Sequence, residues 1–93
     1  MNDTITKILL HWGLEKSEVK QIYHTAWQVG EQYVLKEYQN REMLERNLKT
    51  LRILDDMKIP VGKIVPTRDN RQYISSEDAF YFLAEKLPGK HIS

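Results

Sequence analysis

The sequence predicts an α+β domain: an antiparallel sheet of about five strands with a packed amphipathic helix and a short N-terminal helix. Two observations predict it. Leu44, Leu48, Leu51 and Leu54 recur at helical spacing after Asn40, a strong N-cap residue. Three β-prone runs, at 19–23, 25–29 and 32–38, are separated by short turns. The chain has 93 residues, 41% hydrophobic and 29% charged, enough for one modest core and not two, so residues 1–93 are read as a single domain.

Taken in order, Asp3 or Thr4 is expected to cap a short helix that packs through Ile5, Ile8, Leu9 and Trp12, with Gly13 ending it in a left-handed turn. The strands at 25–29 and 32–38 meet at Gly30-Glu31, a short glycine-containing hairpin, and the three strands form an antiparallel meander. On the next helix, Glu42 with Arg46 and Glu45 with Lys49 have the acid-before-base spacing worth roughly a few tenths of a kcal/mol each. Ile59-Pro60 is expected to stop that helix. A strand at 63–65, a turn at Arg68-Asp69-Asn70-Arg71 and a return at 72–74 follow. Ser75-Ser76-Glu77-Asp78 then turns the chain into 79–84, its most apolar strand. The helices are expected on one side of the sheet.

Several classes of function are disfavoured. Fourteen basic residues against thirteen acidic ones give a net charge of +1, too balanced to predict nucleic-acid or membrane-surface binding. Trp27, Tyr33, Tyr38, Tyr73, Phe80 and Tyr81 could be imagined as a base-stacking platform, but sheet cores use the same residues. Without cysteine there is no disulfide or thiolate chemistry, and His11, His24 and His91 are too scattered for a zinc site, so no metal ligand is assigned. The N-terminus lacks a signal-peptide run and no long apolar stretch occurs, so a cytoplasmic location is expected.

One strand carries the most informative residue. In Tyr33-Val34-Leu35-Lys36, a period of two puts Lys36 on a face with Val34 and Tyr38. The amphipathic helix, Ile59-Pro60-Val61, Pro66-Thr67-Arg68-Asp69 and Leu87-Pro88-Gly89 follow. From about Leu14 to Gly89 this order resembles the N-terminal lobe of aminoglycoside-phosphotransferase-like kinases, whose relatives include homoserine-kinase-like, choline-kinase-like and spore-coat kinase-like proteins. The resemblance implies that Lys36 grips the phosphates of ATP bound with magnesium, and that the backbone of Ala84, Glu85, Lys86 and Leu87 forms an adenine-binding hinge. The position of the family's lysine-clamping glutamate falls on Asn47, a neutral amide that cannot supply the charge-assisted pair. The connection around Tyr23-His24-Thr25 lacks the glycines that let a backbone approach phosphate.

The implied parent enzyme transfers the ATP γ-phosphoryl group to a hydroxyl of a small molecule. Its large, C-terminal lobe supplies the catalytic and metal-binding aspartates, so no catalytic residue is assigned here and the chain by itself is expected to be inert. Self-association as a two-fold dimer is expected through a surface around Phe82, Leu83 and Leu87 that such a lobe would cover. Two alternatives stand beside this reading: a pseudokinase or spore-coat-like scaffold that keeps the lobe for binding, and an unrelated small α+β interaction domain.

Overall fold

The computed structural model describes residues 3–59 and 61–86. Two helices and six strands follow one another as α1 (Asp3–Leu10), β1 (Val19–Tyr23), β2 (Ala26–Val29), β3 (Tyr33–Tyr38), α2 (Arg41–Asp56), β4 (Ile64–Val65), β5 (Ile74–Ser76) and β6 (Ala79–Glu85). All strand pairs are antiparallel, in the order β1-β2-β3-β6-β4, and β5 shares the β4 side of β6. The sheet has six strands where about five were expected, because the final hairpin contributes the separate strand β5.

The sheet carries a core on each face, which corrects the expected placement of both helices on one side. Ile5, Ile8, Leu9 and Trp12 bury against Trp27, Val29, Leu35, Tyr81 and Leu83. Leu44 and Leu48 of α2 bury instead with Phe82 and Ala84, supported by Tyr38, Leu51, Ile64, Tyr73 and Phe80. Successive residues of a strand point to opposite faces, so Phe82 and Leu83 serve different cores. β6 is apolar on both faces because α1 covers one and α2 the other. Phe82 and Leu83 are fully buried within the chain, so neither contributes to the exposed surface expected around them. Leu87 lies outside the described residues.

Helix boundaries follow local chemistry. The Asn40 side chain accepts from the Glu42 and Met43 amides at 2.7 and 3.3 Å, capping α2 as expected. α1 already includes Asp3 and Thr4, so neither is the residue preceding the helix. Both helices end in the same way. Leu14 N–H donates to Leu9 and Gly13 N–H to Leu10, with Gly13 left-handed at φ 73°. At α2, Ile59 N–H donates to Leu54 and Lys58 N–H to Asp55, with Lys58 at φ 64°. This paired closure satisfies carbonyls that the helix leaves open. α2 therefore stops by itself before Ile59, and Pro60 lies outside the described residues.

The turns differ in detail from expectation. Val29 pairs with Tyr33, so the β2–β3 loop has three residues, Gly30-Glu31-Gln32. Ser75 and Ser76 are strand residues and the turn is Glu77-Asp78 alone, both at positive φ. The return strand thus begins at Ile74, where 72–74 was expected. In the loop before it, the buried Thr67 takes the Arg71 amide on its hydroxyl at 2.9 Å while its own N–H donates to the Arg71 carbonyl at 2.8 Å.

Candidate functional site

Among the described residues α2 covers only part of its side of the sheet and leaves the remainder over β1–β3 open. Register decides which residues face it. Lys36 pairs with Ala26 on one side and with Phe82 on the other, and Phe82 belongs to the α2 core, so Lys36 lies on the α2 face. Lys20 pairs with Gln28, and Gln28 with Val34, which adds Lys20, Gln28 and Val34 to the same face. Lys86, two residues beyond Ala84, reaches back to Gln28, its ammonium 3.4 Å from Oε1. The open face therefore presents Lys20, Lys36 and Lys86 over a floor of Ala26 and Val34. Glu37 and Glu85 alternate to the opposite face.

A groove of about 270 Å³ lies at this place, walled by Ile22, Tyr23, Val34 and Tyr38 with Lys36 in its lining. Among the described residues the Lys36 side chain makes no hydrogen bond or ion pair. Tyr38 closes one end, stacked on Phe82 with ring centroids 5.7 Å apart and planes at 16°. Burial raises the Tyr38 phenol above its ordinary pKa.

Asn47 is half-buried on α2. Glu45 accepts a 2.9 Å hydrogen bond from the Tyr73 hydroxyl, tying its flank of the helix to the β5 side. Asn47, two residues on, is about 200° around the helix and so occupies the other flank. The Asn47 side chain has no hydrogen-bond partner among the described residues, and none joins it to Lys36. β1 and β2 connect through His24-Thr25 alone, with Tyr23 paired to Ala26, so no loop folds over the groove.

The expected hinge is partly engaged by the fold itself. Ala84 is buried, the Glu85 N–H donates to the Lys63 carbonyl at 2.8 Å, and the Lys86 N–H donates to Gln32 at 2.7 Å. Gly62 lies so near Glu85 that an added Cβ would collide with the Glu85 carbonyl oxygen. Leu87, the last hinge candidate, lies outside the described residues.

The structure brings Lys36 together with Ala26 and Ile22, which sequence reasoning passed over, and with Tyr23 of the β1–β2 connection; Lys20 and Gln28 share its face of the sheet without lining the groove. The signal was the hairpin, since a three-residue loop fixes Ala26 opposite Lys36. Among the described residues no cluster of three or more His, Cys, Asp or Glu is placed to hold a metal, and no helix is long and apolar enough to cross a membrane. Comparison with models of known families, with curated proteins and with solved structures finds no match to this chain.

Proposed function

We propose that the chain is a kinase-like small lobe whose open β1–β3 face binds a nucleotide, with Lys36 on the phosphates. The observation that carries this reading is the lysine-bearing face itself: an apolar floor flanked by three ammonium groups suits a flat base joined to an anion. The strand order and the passage from β3 directly into α2 support it. Lys36 and α2 share a face, as a phosphate-gripping lysine requires. Lys86 and Lys20 add charge on the same face, beside Gln28.

The reading is one of binding, with catalysis left to a large lobe that would complete a magnesium-ATP site and bring a small-molecule hydroxyl. Asn47 gives Lys36 no charged clamp, and the two-residue β1–β2 turn leaves the triphosphate open to water. Both lower the expected affinity. They also favour the second reading, a scaffold that keeps the lobe without phosphoryl transfer.

Calorimetry with magnesium-ATP is expected to show weak binding, with a dissociation constant above the micromolar range. Lys36→Ala, at an exposed position, is expected to weaken binding by roughly tenfold while leaving the fold intact, the scale of one lost charge-assisted contact. Equal binding by the wild type and Lys36→Ala would remove the proposal, and micromolar affinity would contradict the open-groove argument.

A further inference from the structure

The near-neutral total of +1 hides how the lysines are distributed. Lys20, Lys36 and Lys86 share the open β1–β3 face, while the Glu37 carboxylate is held on the other side by a 3.0 Å hydrogen bond from the Tyr81 hydroxyl. Two of the three lysines gather at Gln28. Its amide nitrogen donates to the Gly30 carbonyl at 3.0 Å, its oxygen takes the Lys86 ammonium at 3.4 Å, and Lys20 stands directly across the strand pair. Like charges so placed repel each other, and an anion at Gln28 would be stabilised by both. Lys36 lies apart in its groove, two strands from Lys20 and one residue pair along, roughly 12 Å between Cα atoms. A ligand that occupies both positions carries anions in series. The groove wall adds a planar group: Tyr23 is 73% exposed and, among the described residues, its ring stacks on no other, whereas Tyr38 is already stacked on Phe82.

We propose that this face binds single-stranded nucleic acid, one base laid on Tyr23 and successive phosphates running past Lys36 to Lys20 and Lys86. Anions in series beside an exposed aromatic ring describe an unpaired strand. An acidic peptide offers the charges without the flat bases, and a duplex keeps its base faces in its own stack. Contacts to phosphates and to a base's π-face carry no sequence information, so the binding tolerates any sequence. Glu18, two residues before Lys20 and on the same alternation, stands at the margin and opposes the strand there. The proposal rests on the nucleotide reading for Lys36 and its groove alone. It adds Tyr23 and the lysines at Gln28, which a mononucleotide held at Lys36 does not need.

Fluorescence anisotropy of the 93-residue chain with an end-labelled oligothymidylate, titrated at several salt concentrations, tests this. Three phosphate contacts predict that log K falls against log salt with a slope of about −2. Lys20→Ala and Lys86→Ala are each expected to weaken binding severalfold and to make the slope shallower by about 0.7, with magnesium-ATP affinity unchanged. Lys36→Ala is expected to weaken both ligands. Tyr23→Ala is expected to weaken the oligonucleotide by roughly fivefold or more at an unchanged slope, and Glu18→Gln to tighten it. Lys7→Ala, exposed on α1 across the sheet, is the control, and far-UV circular dichroism establishes that each variant is folded. Slopes for Lys20→Ala and Lys86→Ala that match Lys7→Ala would overturn the proposal. So would equal affinity for polyglutamate, for a duplex or for thymidine monophosphate. Loss of magnesium-ATP binding with these oligonucleotide results intact would remove the nucleotide reading and uphold this one.

Discussion

Lys58 and Gly62 show how single residues carry costs that their types conceal. The two helices close with the same pair of hydrogen bonds, yet Gly13 occupies the left-handed position in one and Lys58 in the other. A side chain with a Cβ pays about 1 kcal/mol there that glycine does not. Lys58→Gly is therefore expected to stabilise the fold by about 1 kcal/mol, read from the thermal midpoint. Gly62→Ala should act in the other direction, because its Cβ meets backbone and not the end of a flexible side chain. A loss of roughly 1–3 kcal/mol is expected in chemical denaturation, and an unchanged midpoint would show that segment 61–63 can move away from Glu85. Gly13 was legible as a helix stop because glycine after a helical pattern is itself the signal. Lys58 was not, since a lysine does not announce a positive φ, and the partner that Gly62 must avoid is in another strand. At the candidate site, the period of two along β3 grouped Lys36 with Val34 and Tyr38. Lys20 and Lys86 required the register of neighbouring strands.

Among the elements, β6 shows most clearly what a local pattern leaves open. Its apolar run was visible, but a strand with no polar alternation is buried on both faces and so needs cover on both. Helices on one side could not have provided it. The short β5 was placed two residues too early, at 72–74, for a related reason: Ser75 and Ser76 look like turn residues, and only pairing with β6 makes them strand. Their hairpin turns on Glu77-Asp78 at φ 51° and 67°, the paired positive angles of a type I′ turn. That turn favours asparagine followed by glycine. Replacing Glu77→Asn together with Asp78→Gly should stabilise the protein by roughly 1 kcal/mol without changing the fold. Denaturant titration would measure it, and a destabilised double variant would mean that the acidic pair makes contacts worth more than the backbone strain.

At the scale of the molecule, one sheet divides two cores, and tyrosines bound both of them. Tyr81 donates to Glu37 at 3.0 Å on the α1 side. Tyr73 donates to Glu45 on the α2 side, packed edge-on against Phe80 at 6.4 Å. Burial, the hydrogen bond to Glu37 and the charges of Glu37 and Glu77 push the Tyr81 phenol up to about 12. Burial first, then the bond to and charge of Glu45, raise Tyr73 against a smaller opposing effect of Arg41. Tyr38 is raised by burial alone. A phenol whose folded pKa lies above its unfolded value contributes stability that is complete below about pH 10 and is lost as pH rises through the folded value. All three shifts have that sign, so the fold should weaken on both faces as pH rises above about 10, the Tyr81 contribution being lost as pH passes through about 12. Tyr81→Phe removes the most strongly shifted phenol and leaves Glu37 without its donor. It is expected to cost about 1–3 kcal/mol at neutral pH and to make the alkaline decline shallower. Denaturation midpoints of the wild type and the variant, followed against pH, give the comparison, and it cancels the lysines that titrate over the same range in both. Parallel declines would mean that Tyr81 ionises with the same pKa folded and unfolded, leaving the Glu37 bond without the influence assigned to it.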